Sequence, residues 1–125
     1  MVHISNGLPG QDTEPSIVSS GGELHVAWSH DDAVTPGNAD VHHVVMDASG
    51  DWGDVTEELG NGLDRNEKKV KLVDWNGTPA LVWQSDGINL RGQVYSDVML
   101  MLHEDGNWGP PLLVSPPGKD TGNVV

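Results

Sequence analysis

The feature that most constrains this chain is that it repeats itself. Displaced by 55 positions, Asn6-Gly7-Leu8 falls on Asn61-Gly62-Leu63, Ile17-Val18 on Leu72-Val73, Gly22 on Gly77, Val26 on Leu81 and Trp28 on Trp83, without a gap. A one-residue adjustment then sets "DASGDWG" at 47–53 on "HEDGNWG" at 103–109, matching Gly50 with Gly106 and Trp52 with Trp108. A third copy opens at "PGKDTGNVV" (117–125), which repeats the Pro, Gly, Asp and Thr of the stretch beginning at Pro9. Self-similarity at a fixed interval marks an architecture in which each unit buries its apolar face only by stacking on its neighbours.

Within each copy, short alternating or β-branched runs are separated by Gly, Asp, Asn and Pro clusters, and no helical period of useful length appears. The first copy predicts strands over 15–20, 23–30, 40–47 and 52–59, and the second over 69–75, 79–85, 96–104 and 108–115. "SGG" and "NGT" read as tight turns between first and second strands, and "ASGD" and "EDGN" as turns between third and fourth. A four-stranded antiparallel unit of this period reads as a β-propeller blade. The expected fold is therefore all-β: one propeller segment over 1–125, with blades over about 15–59 and 69–115 and a third starting at 121–125. Two blades cannot close a ring of about 4 to 8. Completion by a cyclic homo-oligomer is expected, three chains giving six blades being favoured over four giving eight.

Composition narrows the partners. Nineteen acidic residues against six Lys and Arg give a net charge of −13, which repels phosphate backbones and anionic membrane surfaces, so neither nucleic acid nor membrane is expected. No apolar run has the length of a membrane span or the form of a secretory signal. Cysteine is absent, which removes disulfides and thiolate metal sites and leaves the compartment undetermined. Phenylalanine is also absent while Trp occurs five times, so the large core anchors must be Trp. Trp28, Trp52, Trp83 and Trp108 stand at repeat-equivalent places and are expected to be structural. Trp75 breaks the repeat, Ser20 standing at its equivalent; beside a turn, its flat ring is a candidate for stacking on a sugar.

The strand pair "PSIVSSGGELHVAW" (15–28), the "DASGDW" turn (47–52) and the "PLLVS" strand (111–115) resemble the BNR, or Asp-box-like, repeats of sialidase-type β-propellers and related secreted surface proteins. The turns are shorter than a strict Asp-box and lack its Thr, so the resemblance bears on fold more than on activity. It implies that the long loops at 31–39 and 86–95, with the fourth-to-first strand connections, form the ligand face. That assigns Asp31, Asp32, Asp86, Arg91, Asp12 and Arg65 to the functional neighbourhood. It also implies an extracellular or cell-surface setting.

A sialidase resembles its family through an arginine triad, a Tyr nucleophile with a Glu partner, and an Asp acid. Here the loops supply Arg65 and Arg91, and Tyr95 is the only tyrosine. No catalytic residue is assigned. His42 and His43 are adjacent on a strand, point to opposite faces and cannot share one metal. Calcium suits the oxygen-rich loops around Asp12 and Asp120 better than zinc, without EF-hand spacing. The expected function is a non-catalytic propeller module that binds carbohydrate or another surface ligand. The alternatives are part of a sialidase-like glycoside hydrolase, and a propeller fragment or designed assembly with no ligand.

Overall fold

The computed structural model describes residues 4, 5, 7, 9–32, 39–59, 66–88 and 91–114. They are all-β, with no helix among them, and form two antiparallel sheets. The first sheet runs β1 (Gly10–Ser20), β2 (Glu23–Asp32), β3 (Asp40–Met46) and β4 (Thr56–Leu59) in sequence order. The second runs β5 (Asn66–Trp75), β6 (Thr78–Ile88), β7 (Val94–Glu104) and β8 (Asn107–Trp108), with β9 (Leu112–Leu113) also pairing β7.

Turn chemistry fixes the register of both sheets. Ser20 pairs Glu23 and Trp75 pairs Thr78, leaving two-residue turns at Gly21-Gly22 and Asn76-Gly77. All four turn residues have positive φ, the geometry that matches the right-handed twist of the strands and that Gly and Asn tolerate best. Both first strands are longer than their sequences suggest, because each continues through a bulge: between Thr13 and Ser16 in β1, and between Lys68 and Lys71 in β5. The bulged residues Glu14 and Lys69, 55 positions apart, are left-handed at φ 54° and 56°. Such backbone costs about 1–2 kcal/mol per non-glycine residue. The bulge takes the Lys69 N–H out of the ladder, and it donates to Glu14 Oε1 at 2.7 Å, which offsets part of that cost.

The fourth strands are interrupted rather than continuous. In the first sheet, Trp52 makes an isolated bridge to Met46 and Gly53 N–H donates to Val45 O at 2.8 Å, before pairing resumes at β4. In the second, Asn107-Trp108 pairs the end of β7, Gly109 N–H donates to Leu102 O, and β9 rejoins β7 further back. The two preceding turns differ. Asp105-Gly106 is a two-residue turn, whereas Asp47 holds a longer one, its carboxylate accepting Ser49 N–H and Asp51 N–H at 2.9 and 3.0 Å. Between the equivalent pairs Met46–Trp52 and His103–Trp108 the first copy has five residues against four, which brings an offset of 57 along β3 and β7 back to 56 at the two Trp. Register pairing moves the β3-to-β7 offset to 57 positions, since Trp28 faces His42 and Trp83 faces Met99.

The sheets pack face to face. Ala27, Val41 and Leu59 of the first bury against Val70, Leu72, Leu81, Trp83, Met99 and Met101 of the second, with Val18 and Trp108 at the margin. Hydrogen bonds tie the strands at this junction: Leu72 N–H to Ser16 Oγ (2.8 Å), Ser20 Oγ–H to Asp74 Oδ1 (2.5 Å), Ser29 Oγ–H to Glu67 O (2.6 Å) and Glu67 N–H to Ala39 O (2.9 Å). The far face of the first sheet carries a smaller cluster of Val26, Trp28 and Val44, covered by Ile4, Trp52 and Val55.

Candidate functional site

The long loop expected over 86–95 is mostly strand, β6 and β7 pairing as far as Ile88 and Val94; at this end, where β2 and β6 also finish, there is a cleft of about 350 Å³. Its walls are Gln11, Thr13 and Glu14 of β1, Ser29 and Asp31 of β2, Ala39, and Asn66 and Lys68 of β5. Strand alternation puts Gln11 and Thr13 on one side of β1, and the register sets them opposite Asp31 and Ser29. The bulge at Glu14 turns its carboxylate towards β5, and Asn66 Oδ1 accepts the Ala39 N–H at 3.1 Å. Seven of these eight side chains carry hydrogen-bonding groups, and the volume lies in the range of small-molecule sites.

Charge in the cleft is uneven. Lys68 Nζ lies 2.8 Å from Asp86 Oδ2, and this hydrogen bond and charge raise the lysine above its ordinary pKa. Burial pushes the Asp86 carboxyl up, but hydrogen bonds from Gln84, Lys68 and Ser96 outweigh it and hold the group below its ordinary value. Gln84 Nε2–H and Ser96 Oγ–H donate to Asp86 Oδ1 at 2.8 and 2.6 Å. Among the described residues, the one cationic side chain on the walls is thus paired with a carboxylate from outside, and Glu14 and Asp31 are the acidic side chains of the lining.

A second polar cluster lies between the sheets towards the opposite end. His25, His43, His103 and Trp108 form a chain of ring contacts at centroid distances of 4.9–5.8 Å, His25 and His43 stacked and the others edge-on or tilted. Trp108 Nε1–H, which can only donate, reaches His43 Nδ1 at 3.1 Å. The proton of neutral His43 must then sit on Nε2, where it donates to His25 Nδ1 at 3.0 Å. His25 consequently carries its proton on Nε2, which lies 3.3 Å from Glu23 Oε1 without the alignment of a hydrogen bond. Burial lowers the pKa of all three imidazoles, and that of His43 falls to about 3 with the further opposition of His25 and His103. Trp108, His43 and His25 form one hydrogen-bonded line from one sheet to the other, which ends at a buried His25 Nε2 with no aligned partner, so the cluster reads as a joint between sheets, with a cavity of about 430 Å³ beside it.

The residues singled out in the sequence are dispersed. Asp31 lines the cleft, and Asp86 acts on it through Lys68. Asp32 closes β2 with its backbone paired to Gly10. Arg91 is exposed in the turn before β7. Trp75 is 59 % exposed at the opposite end of β5 from the cleft, beside the Asn76-Gly77 turn. Asp12, a calcium candidate, turns to the far face of the first sheet, where Oδ1 accepts Trp28 Nε1–H at 3.1 Å and lies 2.6 Å from His30 Nδ1. That oxygen is engaged by protein groups, and among the described residues no three His, Asp or Glu side chains are grouped to hold a metal ion. Arg65 and Asp120 lie outside the described residues, as does the third repeat. Trp28 and Trp83 are buried and Trp52 and Trp108 half-buried.

Sequence reading offered Gln11, Thr13 and Glu14 only as part of the oxygen-rich stretch around Asp12, and missed Ser29, Asn66 and Lys68. The available signal was the equivalence of Glu14 and Lys69, two charged residues at matched positions in otherwise alternating strands. Nothing linear joins His25, His43 and His103. No family model and no curated protein matches the chain.

Proposed function

We propose that the chain is a β-propeller module that binds neutral carbohydrate in the cleft between its sheets and assembles head to tail into a ring, three copies being favoured. The observation that carries the binding reading is the cleft lining: amide, hydroxyl, carboxylate and ammonium groups gathered at one end of the two sheets. Sugars present dense, paired hydroxyls and need such convergent donors and acceptors. Two acidic side chains on the walls against one lysine disfavour anionic sugars, which sets this reading apart from a sialidase-like one. The propeller reading is supported by two sheets of sequential antiparallel strands, by matched bulges and turns, and by first strands β1 and β5 lying side by side. Glu14 is engaged with Lys69 N–H, which favours binding over catalysis. Calcium forms no part of the proposal.

A glycan array tests it. Wild-type protein should retain neutral glycans over sialylated or sulfated ones, and Gln11→Ala/Asp31→Ala, at a facing cross-strand pair, should weaken retention at least tenfold, about 1.4 kcal/mol, with an unchanged unfolding midpoint. Retention of sialylated glycans alone, or no effect of the double variant, would contradict it.

A further inference from the structure

The internal joint is a template for a joint between molecules. Offsets of 55 along β1 to β5 and β2 to β6, and of 57 along β3 to β7, superpose the pairing of the first sheet on that of the second. On this mapping the buried face of the second sheet, Leu72, Leu81, Trp83 and Met101, corresponds to Ile17, Val26, Trp28 and Val44 on the far face of the first. The face of the first sheet that receives it, Ala27, Val41 and Leu59, corresponds to Val82, Val98 and Val114 on the far face of the second.

Val26, Trp28 and Val44 are already buried beneath Ile4, Trp52 and Val55, while the remaining equivalents differ in exposure according to whether a sheet lies against them. Leu72 is buried while Ile17 is 61 % exposed; Val41 and Leu59 are buried while Val98 and Val114 are 39 % and 58 % exposed. Each far face is thus apolar and shaped by the same residue positions as one side of the internal joint. Exposed apolar surface of this kind is costly to leave in water.

We infer that the far face of the second sheet docks the far face of the first sheet of another copy, repeating the internal joint between molecules. This rests on the head-to-tail ring proposed above and assigns its contact surfaces. The contact is heterologous, so each copy keeps one donor and one receiver face. The two kinds of joint differ chemically: where the internal one has His25 and His43, the outer one has Ala80 and Leu100. Ile4 completes the scheme. It stands 55 positions before Leu59 and packs on the Trp28 cluster as Leu59 packs in the Trp83 cluster. Val114, 55 positions after Leu59, would enter that place from the incoming copy. Ile4 therefore competes with assembly as an internal plug.

The test uses sedimentation velocity on wild type, Val98→Asp and Ile17→Asp, both substitutions at exposed positions, with circular dichroism to verify folding. Wild type should sediment as a multiple of 13.4 kDa, and each variant alone as a monomer. Mixed in equal amounts, the variants should form a species of two chains and no larger, because each retains the one face the other has lost. Ile4→Gly should lower the concentration of half-assembly several-fold. A wild type that stays monomeric at 100-fold dilution from millimolar stock overturns the ring reading itself. A wild-type oligomer unaffected by both charges leaves the ring reading standing and overturns this assignment of faces, as does a mixture that remains monomeric.

Discussion

The buried imidazole chain makes stability depend on acid well above the range where carboxylates titrate. In the folded chain His43 has a pKa of about 3 against an ordinary 6.5, first through burial and then through the facing rings of His25 and His103. Between those values the unfolded chain binds a proton that the folded chain refuses, so stability is fully present above pH 6.5 and is lost as pH falls. The slope approaches 1.4 kcal/mol per pH unit, and integrating from pH 7.5 to 5.0 gives a loss of about 2 kcal/mol from His43 alone. His25 and His103 are lowered too and act in the same direction; Glu23, beside His25, acts against it. The assay is urea unfolding at pH 7.5, 6.5 and 5.0 on wild type and on His43→Leu, which installs the residue found at the equivalent position 100. The variant should be weaker at pH 7.5, because Trp108 Nε1–H loses its acceptor, yet should lose about 2 kcal/mol less than wild type between pH 7.5 and 5.0. A wild type with equal stability at the two pH values, or a variant with the same acid loss, would refute the reasoning.

Three further outcomes are expected. Trp83→Ala should cost about 3–5 kcal/mol in chemical unfolding, the range for deleting a fully buried aromatic, since Trp83 is 1 % exposed at the centre of the inter-sheet core. Trp108→Phe keeps most of the ring volume but leaves His43 Nδ1 without its donor; it should cost about 1–3 kcal/mol and raise the imidazole pKa seen by NMR. Gly77→Ala should cost about 1–2 kcal/mol, because its φ of 84° is left-handed while the space around it is open; an unchanged unfolding midpoint would contradict the turn assignment.

Strand order and hairpin turns were legible because they are local. Asn76-Gly77 and Gly21-Gly22 sit between alternating runs, and the turn type follows from those residues alone. The early start of β5 at Asn66 was not legible, since a bulge at Lys69 interrupts alternation and hides the strand before it. The continuous fourth strands expected over 52–59 and 108–115 give way to a bridge and short pairings after each Trp, as Gly53 and Gly109 redirect the chain. Of the site, the acidic loop start at Asp31 was visible from charge, whereas Ser29, Asn66 and Lys68 meet only through packing of one sheet on the other. Asp12 read as part of a loop, whereas it lies within β1 and accepts from Trp28.

Backbone amide shift mapping by NMR, with the strongest neutral glycan from the array as titrant, tests the central claim most directly. The amides of Gln11, Thr13, Ser29, Asp31, Asn66 and Lys68 should shift together in a saturable way, while Trp75 and the Asp105-Gly106 turn stay fixed. Shifts centred on Trp75 and Asn76, with the cleft unmoved, would place binding at the opposite end of the sheets and contradict the account.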